Sequence, residues 1–115
     1  MNRDEKRIFD RLEERINLKY RIIKPTLEEK QYFVTTKDIS AGGLSFISEK
    51  PIPSDAILEL EIEMWDSPNP IKCLGKVVRM AKFQENNEEF YNIGVLFLDL
   101  SPADRTRIIK YAEGK

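Results

Sequence analysis

In residues 57–64 of the chain, ILELEIEM, the acids Glu59, Glu61 and Glu63 alternate with Leu58, Leu60, Ile62 and Met64. On a helix, residues two apart lie on nearly opposite sides, so this segment would have no dry face; on a strand the same residues divide into one wet face and one apolar face. The period of two therefore demands a sheet. It recurs at Ile16, Leu18, Tyr20 and Ile22, which alternate with Asn17, Lys19 and Arg21 until Pro25 ends the run. Residues 31–37 are rich in aromatic and β-branched types and lead into Asp38, and residues 44–48 resume an extended pattern after a glycine pair. After the turn chemistry of Asp66 to Pro70, residues 71–80 form a further strand candidate. Residues 84–89 (QENNEE) separate it from residues 90–97, its expected hairpin partner.

The period changes only at the end. Ser101 supplies a helix N-cap, Pro102 a first helical residue and Asp104 an acid in the first turn, with Ile108, Ile109 and Tyr111 expected on the packed face. Six short strands and one helix make the expected fold all-β with a C-terminal helix: a small six-stranded antiparallel barrel, since closure removes unpaired sheet edges and the helix can cover an open end. A length of 115 residues suits one domain.

Several function classes are excluded by what the chain lacks. There is no histidine, which removes Ser-His triads, imidazole acid–base schemes and most zinc sites, and Cys73 is the only cysteine, which removes an internal disulfide. No enzyme activity is expected, because no nucleophile–base pair or metal cluster stands out. No apolar run is long enough to cross a bilayer and the charged N-terminus is no secretory signal, so a reducing cytoplasm is the expected setting. The net charge of −1 argues against binding long nucleic acid. That charge is uneven: residues 1–24 carry eight Lys/Arg against five acids, a surplus of +3 that leaves −4 elsewhere. The expected organisation is a flexible basic arm over residues 1–13 followed by a barrel domain over residues 14–115.

Two stretches offer binding chemistry. In Asp38-Ile-Ser-Ala-Gly-Gly43 a carboxylate, a hydroxyl and glycine backbone converge, and a missing Cβ lets a ligand approach the main chain. The plainer alternative is a turn in which Asp38 and Ser40 bond local backbone while Gly42 and Gly43 take positive φ. In Lys6-Arg-Ile-Phe-Asp-Arg11, two guanidiniums can clamp phosphates, address the O6 and N7 edge of guanine or stack on a purine; the plainer alternative is a solvated helix face.

Together, Arg7-x-x-x-Arg11 and Asp38-x-Ser-x-x-Gly43, 27 residues beyond Arg11, resemble the two-part signature of the PilZ domain, a bacterial receptor for cyclic di-GMP. Leu44-Ser-Phe46, Gly75-Lys-Val-Val-Arg79, Tyr91-Asn-Ile-Gly-Val-Leu-Phe97 and the closing helix are similar to the same family, so the resemblance runs from about Lys6 to Tyr111. It implies a six-stranded barrel with a C-terminal helix, no cofactor, and cyclic di-GMP as a signalling ligand. It assigns Arg7 and Arg11 to the ligand's phosphates and guanines, and Asp38, Ser40 and Gly43 to a guanine and the adjoining surface. Gly42 either shares that role or serves the turn. The basic Lys6 before the first arginine implies an intercalated pair of ligand molecules, whereas Asp10 departs from the pattern and opposes phosphate binding at low salt. Arg15 and Arg79 are secondary candidates, with a solvated or ion-paired surface arginine as the default reading of each. Trp65 and the phenylalanines are expected in core or rim packing.

The function implied is a noncatalytic cyclic di-GMP sensor whose arginine arm is ordered by the ligand, altering a surface read by an unidentified protein effector. Two other readings stand beside it: a nucleotide-independent protein adaptor, and a single-stranded nucleic-acid binder on a small barrel.

Overall fold

A computed structural model describes residues 16–113. Its strands are β1 (Asn17–Lys24), β2 (Tyr32–Ile39), β3 (Gly43–Ser48), β4 (Ile57–Glu63), β5 (Ile71–Glu85) and β6 (Glu88–Phe97), followed by helix α1 (Pro102–Glu113). All neighbours pair antiparallel, and the sheet closes in the order β1-β2-β3-β6-β5-β4. This is the six-stranded barrel with one C-terminal helix that the alternating pattern predicts.

The apolar phase of each strand fills the interior. Leu58, Leu60 and Ile62 of β4 point inward beside Leu18 and Tyr20 of β1, while Glu59, Glu61 and Glu63 face out. Tyr20 stacks on Tyr32 at 5.0 Å between ring centres and tilts onto Phe46 at 4.9 Å. Burial pushes the Tyr20 phenol up to about 12, against the opposing effect of a Ser48 hydrogen bond. The inward Cys73 thiol is likewise pushed up to about 12, by burial and then by the nearby Asp99 and Asp104 carboxylates.

Three expectations need correction. Residues 84–89 do not separate two strands: β5 runs on to Glu85 and β6 begins at Glu88, with only Asn86 and Asn87 between them at φ 54° and 67°. Consecutive left-handed residues make a two-residue turn whose twist matches that of the strands, so pairing continues up to the tip. Trp65 and Phe33 lie at the surface, 70% and 76% exposed, and not in the core. On α1 only Ile108 is fully buried and Ile109 lies open, because adjacent helical residues diverge by about 100°.

The helix is capped at its start and tied down by one arginine. Ser101 Oγ accepts from the Asp104 N–H at 3.1 Å, as an N-cap should. Arg107 donates to both Asp66 oxygens at 3.0 and 2.9 Å and to the Asn69 carbonyl at 2.8 Å, tying α1 to the β4–β5 connection. Among the described residues no helix is long and apolar enough to cross a membrane.

Candidate functional site

Asp38 owes its position to a shift of register. Thr36 pairs with Phe46, but Asp38 pairs with Ser45 and Ile39 with Leu44, so one extra residue is accommodated in β2. Tyr32, Val34 and Thr36 share the inward phase; without the bulge Asp38 would follow them toward the core. A bulge re-aims the side chains beyond it. Here it turns Ile39 inward against Leu44 and sends Asp38 to the outer surface.

On that surface the Ser45 hydroxyl donates to Asp38 Oδ2 at 3.2 Å. Ser45 is itself only 6% exposed although it stands on the outward phase of β3. A carboxylate carries four lone-pair sites, so this bond restrains Asp38 while leaving acceptor capacity for further donors.

Beyond β2 the chain folds over itself. The Ser40 N–H donates to the Gly43 carbonyl at 2.8 Å, and the Gly42 N–H donates to Ser40 Oγ at 3.3 Å. The Phe97 N–H reaches the Gly42 carbonyl at 2.9 Å, and Arg105 of α1 donates to the Ala41 carbonyl at 3.1 Å. The turn is thus pinned from its own residues, from β6 and from the helix. Neither Gly42 nor Gly43 takes positive φ, which corrects the expectation for a simple glycine turn. Gly43 answers a different need: a Cβ there would overlap the Val95 carbonyl of β6. Around Gly42 the space is open, the nearest atom to a Cβ being Ser40 Oγ at 4.0 Å.

Asp38, Ser40, Gly42 and Gly43 are therefore brought together at one end of the β2–β3 hairpin. Lys6, Arg7, Arg11 and Arg15, and the proposed arm over residues 1–13, lie outside the described residues.

A second bulge places a residue that sequence reasoning ranked low. Val77 pairs with Val95 on the inward phase, but Arg79 pairs with Gly94, leaving Val78 as the extra residue. Arg79 is thereby moved from the core phase to the exposed outer face. A Cβ on Gly94 would lie 3.4 Å from Arg79 Cβ, 3.5 Å from Nε and 3.7 Å from Nη2, so the arginine extends across β6 over its glycine. The register joins four strands into one row: Asp38 on β2, Ser45 on β3, Gly94 on β6 and Arg79 on β5. No ion pair among the described residues joins Asp38 to Arg79 or neutralises either. The signal for both bulges was present in the sequence as a change of apolar phase, Thr36 to Ile39 and Val77 to Met80.

The opposite wall, β1 with β4, differs in character. A shallow groove of about 370 Å³ there is lined by Lys19, Arg21, Glu59, Glu61, Lys72 and Asp99, among others. Four of its charges are already matched, Lys19 to Glu61 at 2.7 Å and Arg21 to Glu59 at 2.9 Å. The Lys19 hydrogen bond, before all other causes, holds the Glu61 carboxyl below its usual range. Such a ladder stabilises the sheet and leaves little for a ligand. Among the described residues no group of three or more acids or cysteines is placed to hold a metal ion.

Comparison with known proteins agrees with this architecture. No curated protein sequence matches the chain. Among solved structures, the inhibitor of motility MotI/DgrA of Bacillus subtilis superposes with a TM-score of 0.69 at 16% identity, over 87% of this chain and 46% of that one. The K. pneumonia MrkH–c-di-GMP complex gives 0.67 at 23% identity, over 87% and 46%. The PilZ domain of Escherichia coli YcgR with c-di-GMP gives 0.66 at 16% identity, over 90% and 85%. The chain spans about half the length of MotI and MrkH, and at these identities the likeness is one of fold. The sequence profile of the PilZ domain, however, matches residues 5–114. With that match over nearly its whole length and the closed barrel beneath it, the chain belongs to the PilZ domain family.

Proposed function

We propose that this domain is a noncatalytic sensor of cyclic di-GMP. The observation that carries the reading is Asp38: a bulge turns its carboxylate out of the core, Ser45 restrains it, no cation among the described residues neutralises it, and it stands beside the open main chain at Gly42. A guanine presents N1–H and N2–H donors to such a carboxylate. The ligand's two phosphate charges and its O6 and N7 acceptors call for guanidinium donors, which Arg7 and Arg11 supply from the N-terminal segment. Lys6 adds a further charge suited to a second, intercalated ligand molecule, and Ser40 and Gly43 shape the turn against which the ligand rests. Similar folds solved with c-di-GMP, MrkH and the PilZ domain of YcgR, support the choice of ligand.

The response is a closing of the arginine segment over the ligand, altering the surface offered to a protein effector in the cytoplasm. Arg105, bonded to the Ala41 carbonyl, gives the turn a direct connection to α1, an exposed element suited to that readout.

Isothermal titration calorimetry of the purified chain with cyclic di-GMP tests the reading. Saturable binding at low micromolar concentration is expected, with Arg7→Ala, Arg11→Ala and Asp38→Ala each weakening it by about tenfold or more. The arginine variants should also flatten the salt dependence. No saturable binding, together with a protein partner captured equally well by wild type and Arg11→Ala, would replace this reading with a nucleotide-independent adaptor.

A further inference from the structure

Two bulges, on strands separated by two others, put one carboxylate and one guanidinium on the same row of the same wall. Bending a closed barrel explains why bulges exist, but does not require that each one move a charged residue out of the core phase into a shared line. Between the charged residues the row is small. Ser45 carries only a hydroxyl, already bonded to Asp38, and Gly94 carries no side chain. The main chains of β2 and β5 stand three inter-strand steps apart, roughly 14 Å at about 4.8 Å per step. Both charged side chains lean inward over that span, Asp38 toward Ser45 and Arg79 across Gly94. What remains between them is a flat floor bounded by an acceptor at one end and a planar donor at the other.

The geometry points to a row that reads a single guanine: Asp38 takes its N1–H and N2–H, Arg79 faces its O6 and N7, and Ser45 and Gly94 are the positioning residues that fix these two groups. This rests on the cyclic di-GMP reading above and deepens it, because neither Ser45, Gly94 nor Arg79 belongs to the two-part motif. Ser45 holds the carboxylate in one orientation. Gly94 leaves the strip of β6 over which the guanidinium lies. An adenine is rejected at both ends, since it sets an N1 acceptor against the carboxylate and an N6 amine against the guanidinium.

Calorimetry of the full chain with three probes separates these roles: cyclic di-GMP, cyclic di-IMP, which lacks only the 2-amino groups, and cyclic di-AMP. Wild type should prefer cyclic di-GMP over cyclic di-IMP by about tenfold, the loss expected for a hydrogen bond to a charged group. Ser45→Ala should compress that preference to about threefold or less. In an Asp38→Asn background the same change should leave it unaltered, a coupling that a merely structural serine would not show. Arg79→Ala should weaken cyclic di-GMP and cyclic di-IMP alike by about tenfold while keeping their ratio. Gly94→Val, whose branches occupy the strip beneath the guanidinium, should reproduce Arg79→Ala. Wild-type binding that persists within about twofold in Arg79→Ala, or an intact preference in Ser45→Ala, overturns the row as the reader while leaving cyclic di-GMP binding standing. Absence of wild-type binding overturns the cyclic di-GMP reading and this inference with it.

Discussion

A Cβ at Gly43 would overlap the Val95 carbonyl, whereas one at Gly42 meets nothing nearer than 4.0 Å. The two neighbours should therefore respond oppositely to the same substitution. Gly43→Ala forces β3 away from β6 and is expected to cost about 3 kcal/mol. Gly42→Ala, at a residue without positive φ, is expected to be neutral or to stabilise by up to about 1 kcal/mol through the unfolded chain. Urea denaturation of the two variants checks this. If Gly42→Ala keeps its stability but loses ligand affinity, the open main chain at 42 is a contact surface and not a turn requirement. Cys73 gives a second test at this scale: with its thiol pushed up to about 12 by burial, alkylation at pH 8 should be slower than for free cysteine by at least about two orders of magnitude, and should recover on denaturation. At the level of residues the spacing in the sequence singles out Asp38, Ser40 and Gly43, which the β2–β3 hairpin brings to one end. It missed why Gly43 is glycine and that Ser45 holds Asp38, because both depend on the neighbouring strand and leave no local pattern.

The elements were legible wherever one face is wet and the other dry. The strand at Ile57–Glu63 declares itself, whereas β5 past Met80 does not: Ala81, Lys82, Gln84 and Glu85 show no apolar phase because the hairpin there is exposed on both faces. What sustains it is cross-strand pairing, Phe83 stacked on Phe90 at 5.8 Å and Lys82 bonded to Glu89 at 3.1 Å, closed by the left-handed pair Asn86–Asn87. Asn87→Gly should be tolerated and Asn87→Val should loosen the hairpin tip, since a β-branched residue is strained at φ 67°; amide exchange of residues 82–90 reports the difference. For α1 the decisive contact is Arg107 with Asp66. The guanidinium hydrogen bond outweighs desolvation and holds the Asp66 carboxyl below its usual range. A folded-state pKa below the unfolded one means that this contribution is fully present above about pH 4 and is lost as pH falls through the lowered value. Arg107→Ala should accordingly cost about 1 kcal/mol at pH 7, with the difference from wild type shrinking below pH 4 in thermal melts.

For the whole molecule, closure of the sheet puts two walls back to back: β1 with β4, where Lys19 pairs with Glu61 and Arg21 with Glu59 across the strands, and β3 with β6, flanked by Asp38 and Arg79, which no ion pair among the described residues neutralises. A period of two predicts a barrel, whereas which wall is which depends on two one-residue bulges that exchange inside for outside and show in the sequence only as a change of apolar phase. The direct test of the account is a titration of isotope-labelled protein with cyclic di-GMP, followed by the backbone amide signals. Saturable shifts are predicted for Asp38 through Gly43, for Ser45 and for Gly94, with Lys19 and Glu61 on the far wall unmoved. Unchanged signals at Asp38 through Gly43, or shifts confined to the β1–β4 wall, would contradict it.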